Sequence, residues 1–235
     1  MGKRIIQQRR GKGSQRFRGL DFKYKGASKI LDKESYTVKK LTQSPAHSAP
    51  IMHIEYNDGT TGVCVAPEGV MEGETYKINS EEQDDLKRGN VTQLKNLPEG
   101  TSVSNVEAVP GDGGKYMRST GSSGRIVAKT DDAITVQLPS KAKKDFNPNC
   151  KAMIGQIAGS GRTDKPFLKA GNKHYAMKAR NKFYPIVSGS AMNAVAHPFG
   201  NSRSLGQSNA KPAPKNAPPG RKVGSIRPKQ QGRKR

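Results

Sequence analysis

The last carboxylate in this chain is Asp164, so its final 71 residues contain no Asp or Glu, while residues 171–235 hold fourteen Lys and Arg. A solvated surface normally intersperses both signs. A segment of one sign repels itself and gains order against a polyanion. The remaining charge is also uneven: residues 1–29 hold ten cations and one acid (net +9), residues 30–110 seven and thirteen (net −6), and residues 111–170 eleven and five (net +6), within a total of +23. Only 32% of residues are hydrophobic and 6% aromatic, against about 45–50% apolar for an ordinary packed domain. One or two small cores flanked by basic extensions satisfy both facts; a compact enzyme filling the whole length does not.

Other classes fall away on chemistry. No apolar run approaches the ~18 residues of a membrane helix, and the opening MGKRIIQQRRGKG lacks the apolar core of a signal peptide. Neither a membrane-bound nor a secreted protein is expected. Ile6 stands where a myristoylation signal needs Ser or Thr. Cys64 and Cys150 are the only thiols and belong to no C-x-x-C pair, so no disulfide framework, metal site or cofactor is expected; both are read as buried, reduced cysteines. His47, His53, His174 and His197 show neither metal spacing nor an adjacent nucleophile with an orienting acid, and no catalytic residue is assigned.

From about Tyr36 to Leu138 short apolar runs alternate with turn chemistry. Ile51–Tyr56 and Gly62–Ala66 flank Asn57-Asp58-Gly59-Thr60, a hairpin signal, and Arg125–Ala128 with Ala133–Leu138 around Asp131-Asp132 form another. Pro67-Glu68-Gly69 and Pro98-Glu99-Gly100 introduce further β-type runs, Tyr76–Ile78 and Val103–Val109. Ser80-Glu81-Glu82-Gln83 has capping-box spacing for one short helix ended by Gly89. Short strands at this spacing predict an all-β middle of two five-stranded barrels. Glu72 and Glu74 read as solvated turn charges.

Between the two parts runs a glycine-rich loop, Pro110 to Arg125, with Lys115, Arg118, Ser119 and Arg125 as candidate phosphate contacts. Its glycines would let backbone N–H groups reach phosphate. It is no P-loop, because Tyr116 follows Lys115, and no dinucleotide fingerprint, because Tyr116 occupies the third glycine position. At the far end, Lys211–Arg235 mixes cations with Pro212, Pro214, Pro218, Pro219 and Pro228. Such a segment buries too little to offset its ordering entropy; it is expected to be disordered alone and to thread between phosphate backbones when bound. A solubilising tail or localisation signal is the competing reading.

Gly189-Ser190-Ala191-Met192-Asn193-Ala194-Val195-Ala196-His197-Pro198-Phe199-Gly200 fits neither a helix face nor an alternating strand. It resembles a signature of the universal large-subunit ribosomal protein two family, the L-two family. The resemblance runs along almost the whole chain: MGKRIIQQRRGKGSQRFR resembles the archaeal and eukaryotic start, NDGTTGVCVAPEGVMEGETYKI and GNVTQLKNLPEGTSVSNVEAVPGDGGKYMRSTG resemble two central stretches, and NAPPGRKVGSI the archaeal tail.

That resemblance implies an oligonucleotide-binding (OB) barrel over 30–88, an SH3-like barrel over 89–170, and basic extensions over 1–29 and 171–235 embedded in RNA. It implies a non-enzymatic cytoplasmic constituent of the large ribosomal subunit. Its partners would be large-subunit ribosomal RNA, neighbouring ribosomal proteins and the small subunit, near the peptidyl transferase region, with roles in subunit association and tRNA placement. The family's inter-barrel RNA-contacting arginine falls on Arg118. A second falls on His47, which would exchange a permanent cation for a titrating one, with a weaker or pH-dependent phosphate contact. In the histidine loop Ala196 replaces the usual Asp, Ser188 an Arg, and Asn201-Ser202 two glycines, while His197, Pro198 and Gly200 are kept. Without an orienting acid His197 reads as an RNA contact rather than a general base. The expected contacts are Arg9, Arg10, Lys12, His47, Lys115, Arg118, Ser119, Arg125, Met192, Asn193, His197, Pro198, Gly200, Arg203, Arg221 and Lys222. The competing classes are an RNA-modifying enzyme's accessory subunit and a chromatin-type DNA binder.

Overall fold

A computed structural model describes residues 2–18, 24–79, 86–201 and 212–226. The chain divides into two bodies, one of Leu20–Asn172 and one of Met1–Gly19 with Lys173–Arg235. The division also separates charge. All nineteen carboxylates lie in the first body against 21 cations, whereas the second carries 21 cations and no carboxylate side chain.

In the first body, strands β1 (Ser35–Thr42), β2 (Ile51–Tyr56), β3 (Thr61–Val65) and β4 (Thr75–Lys77) form a sheet ordered β3-β2-β1-β4. The Asn57–Thr60 turn sets the β2–β3 register, with Ile54 opposite Gly62, and Gly59 supplies φ +79°. Asp58 caps the turn by accepting from Thr60 N–H at 3.1 Å. Tyr36 and Val38 alternate inward and are fully buried beside Ile51, Ile54 and Tyr76.

The second sheet is ordered β5-β10-β6-β7-β8-β9, with β5 Val91–Gln93, β6 Ser102–Ser104, β7 Gly124–Lys129, β8 Ile134–Gln137, β9 Lys143–Phe146 and β10 Lys151–Ile154. Its core gathers Leu94, Leu97, Val103, Val106, Ile126, Ile134 and Val136. Sheets of four and six strands thus replace the expected five and five. The run Val103–Val109 is strand only at its start, because Val106 forms an isolated bridge with Tyr116 and the chain then turns into the glycine loop. Ser80–Gln83, the expected helix start, lies outside the described residues.

The cores share a wall. Along β10 and its continuation, Ala152 and Ile154 face the second core while Met153 and Ile157 enter the first. Val91 likewise belongs to the first core and Leu94 to the second. Lys151 reaches back to Asp32, which also accepts from Asn79 at 2.9 Å; these bonds hold the Asp32 carboxyl below its usual range. Both cysteines are free and buried. Cys64 Sγ accepts from Ser28 Oγ at 3.7 Å and Asn105 Nδ2 at 3.6 Å, and burial pushes its thiol up to about 12.

In the second body, helix α1 (Ile6–Gly11) starts where Gln8 Oε1 accepts from Ile5 N–H at 3.0 Å and ends on Arg9 and Arg10, which favour the negative end of the helix dipole. Helix α2 (Ala170–Ala179), which spans the boundary between the bodies, buries no residue. Neither helix has the apolar stripe that makes a helix readable from sequence. Residues 212–226 form turns closed by a bridge between Ala213 and Ile226 rather than a structureless strand.

Candidate nucleic-acid interface

The glycine loop corrects the expectation that its N–H groups await phosphate. Glu107 Oε2 accepts from Gly111 N–H at 3.1 Å and Lys151 N–H at 2.8 Å, and Oε1 from Gly113 N–H at 3.0 Å. Asp112 accepts from Ala108 at 3.0 Å, Val109 at 3.3 Å and Gly114 at 3.0 Å. The N–H groups of Asp112, Lys115 and Tyr116 find backbone carbonyls. Every amide N–H from Ala108 to Tyr116 therefore has an internal acceptor. Burial pushes the Asp112 carboxyl up, but the Gly114 and Ala108 amides, Lys115 and the Val109 amide outweigh it and leave it below the ordinary value. Gly114 has no substitute: at φ +96° a Cβ would lie 2.4 Å from Asn105 Oδ1. Over this stretch, Ala108 to Tyr116, side chains rather than amides are what a polyanion meets.

Those side chains fall into two places. Arg118 donates to Gly114 O at 3.2 Å, and its charge acts on His47. Thr120 N–H donates to Ser48 Oγ at 3.3 Å, fixing the segment after Arg118 to the first barrel's loop. Ser119 is exposed, and its carbonyl accepts from Ser122. Lys115 pairs with Asp112 at 3.3 Å. Arg125 instead lines an open cleft on the second sheet with Ser102, Gln137 and Lys141.

The surroundings of His47 favour its neutral ring over the permanent charge of an arginine. Its ring stacks on Tyr24, centroids 4.9 Å apart, and Nδ1 bonds Ser44 Oγ at 2.8 Å. Burial, then the Arg118 charge, lowers its pKa from the ordinary value near 6.5. Because the unfolded chain then binds the proton more readily, stability falls as pH drops below about 6.5. An NMR titration should give a His47 midpoint below 6.5; a midpoint above that value overturns the neutral reading. His47→Arg should steepen the salt dependence of RNA binding by about 0.7–0.9 in slope.

In the second body the histidine loop is built on close approaches. Gly189 lies so near His197 that a Cβ would be 2.4 Å from its Cε1, and a Cβ on Gly200 would be 2.4 Å from the Asn193 carbonyl. Asn193 O accepts from Ala196 at 2.9 Å and His197 at 3.2 Å. His197 Nδ1 accepts from Phe199 N–H at 3.1 Å, the tautomer in which Nε2 carries the proton and donates. Met192 is half-buried and Asn193 exposed. His197 and Pro198 line a cleft with Lys3, Arg4 and Gly220, and Lys3 N–H donates to Val195 O at 2.7 Å. Arg9 and Lys12 line a different cleft, and Arg10, Arg221 and Lys222 are exposed. Arg203 lies outside the described residues. Glu72 is exposed, as expected, and Glu74 partly so, yet both are also engaged: Glu72 accepts from Leu41 N–H at 2.6 Å, and Glu74 accepts from Tyr76 and pairs with Lys87 at 3.6 Å.

Sequence reasoning missed Tyr24, Lys3, Arg4, Arg16, Phe17 and Phe183. A signal existed for the phenylalanines: Phe17 sits between Arg16 and Arg18, and Phe183 follows Lys182.

Among the described residues no group of three or more His, Cys, Asp or Glu could hold a metal, and no helix is long and apolar enough to cross a membrane. Two joined β units and a carboxylate-free basic body define a polyanion-binding scaffold. Residues 1–77 match the family model "Ribosomal Proteins L2, RNA binding N-terminal domain", and residues 87–218 match "Ribosomal Proteins L2, C-terminal domain". The chain is 44% identical to "Large ribosomal subunit protein uL2" of Archaeoglobus fulgidus over 239 residues, covering 100% of both chains. It is 43% identical to the protein of that name from Haloquadratum walsbyi, covering 99% of this chain and 97% of the relative, and 44% identical to that of Haloarcula marismortui, covering 99% and 98%. The chain belongs to the ribosomal protein L2 family, in its archaeal form. Its two β units are accordingly an OB barrel and an SH3-like barrel.

Proposed function

We propose that this chain is a structural, non-enzymatic constituent of the large ribosomal subunit in the cytoplasm, bound to large-subunit rRNA. The observation that carries the proposal is the body holding 21 of 42 cations without one carboxylate side chain. Nothing inside that body can neutralise it, and a phosphate backbone can. Residues 30–88 serve as the OB barrel, 89–170 as the SH3-like barrel, and 1–29 and 171–235 as RNA-embedded extensions. Arg118 contacts RNA between the barrels; His197 donates from Nε2 to an RNA acceptor near the peptidyl transferase region. Through this placement the protein supports subunit association and tRNA positioning, touching neighbouring ribosomal proteins and the small subunit.

The test is RNA affinity measured across salt concentrations. Arg118→Ala should weaken binding and reduce the log–log slope by about 0.7–0.9, the contribution of one neutralised phosphate. An unchanged slope removes that role from Arg118. Failure of the intact protein to sediment with large subunits removes the proposal itself.

A further inference from the structure

The body that lacks carboxylates contains a cleft that its charge alone does not explain. The chain turns after α1 through Gly13, at φ +62°, into a single 3-10 turn, Gln15–Phe17. That turn brings Arg16 and Phe17 into one cleft with Phe183, with the Arg16 guanidinium 5.3 Å from the Phe183 ring centre. Ile6, Phe17 and Phe183 are half-buried in the cleft, and Arg9, Lys12 and Arg16 are its exposed cations.

The cleft measures about 200 Å³. That is below the ~300–1,000 Å³ of pockets for drug-sized ligands and suits one planar ring. A half-buried apolar base with two aromatic rings offers stacking faces, and three cations at the rim suit the phosphates on either side of a stacked base. An acidic peptide would satisfy the cations but leave the aromatic faces without a planar partner.

We propose that this cleft is a slot for one unpaired nucleobase of RNA, stacked on Phe17 and Phe183, with Arg9, Lys12 and Arg16 on the flanking phosphates. The slot rests on the RNA-binding reading and adds how a single nucleotide is held. It distinguishes the contributions of neighbouring side chains: the phenylalanines supply salt-independent affinity for single strands, and the arginines supply salt-dependent affinity for any strand.

The experiment uses the full chain and a short single-stranded RNA carrying 2-aminopurine, whose fluorescence is quenched on stacking. The intact protein should bind and quench. Phe183→Leu keeps apolar volume but removes a stacking face. It should lose the quench and weaken binding about 5- to 150-fold, the range for one base on one aromatic side chain, with an unchanged salt slope. Phe183→Tyr should restore both. Arg16→Ala should lower the slope by about 0.7. Quench and affinity unaltered in a Phe17→Leu, Phe183→Leu double variant overturn the slot while leaving RNA binding intact. Loss of salt-dependent binding in the unmodified protein overturns the underlying reading instead. Preferential capture of an acidic peptide, without quench of the RNA probe, also overturns the slot.

Discussion

Glu107→Ala should cost about 3–6 kcal/mol in urea unfolding of the intact protein. Glu107 is 4% exposed and accepts hydrogen bonds from the amides of Gly111, Gly113 and Lys151. Removing the carboxylate leaves three amides without acceptors, at about 1–3 kcal/mol each, less whatever water enters the space. Against a total stability of about 5–15 kcal/mol, that loss is enough to unfold a marginal domain. Glu107→Gln should cost less, because one oxygen remains while the amide nitrogen faces a donor. A midpoint for Glu107→Ala within error of the unmodified protein would show that the glycine loop does not depend on this residue. The RNA interface should fail with it, because the same loop carries Lys115 and leads into Arg118.

The second large effect concerns the carboxylate-free body. A protein reduced to residues 20–172 keeps both cores but holds 21 cations against nineteen carboxylates. A protein making about six to ten phosphate contacts loses roughly a thousandfold or more in affinity between 50 and 200 mM salt. The shortened protein should bind rRNA fragments at least a thousandfold more weakly than the intact chain at physiological salt, with a much shallower slope. Circular dichroism should still report a folded β protein. Retention of the full slope by residues 20–172 would place the phosphate contacts on the barrels and not on the basic body.

What the sequence revealed and what it concealed follow from physics that can be named. The β2–β3 and β7–β8 hairpins were legible because Asp-Gly and Asp-Asp turns sit between alternating runs. β9, Lys143–Phe146, was not, since three of its residues are charged and only Phe146 is buried, as befits an edge strand. β10 was missed for the opposite reason: all four residues are buried, so no alternation marks it. In the interface, Arg118 and His197 were marked by their family motifs, but the lowered pKa of His47 depends on burial and on a charge 71 residues away. Glu107 carried no mark in the sequence, lying inside the Val103–Val109 run, yet its carboxylate holds the amides of Gly111 and Gly113 in the loop.

The shared wall has a consequence for biosynthesis. Strands β1 to β4 emerge first, yet the core they enclose is completed only by Met153 and Ile157, both fully shielded from water. A nascent chain that has reached Gly121 already contains every strand of the first sheet and still has an open seam. N-terminal domains generally fold first during synthesis; here the core of the earlier barrel stays incomplete until Met153 and Ile157 have been made.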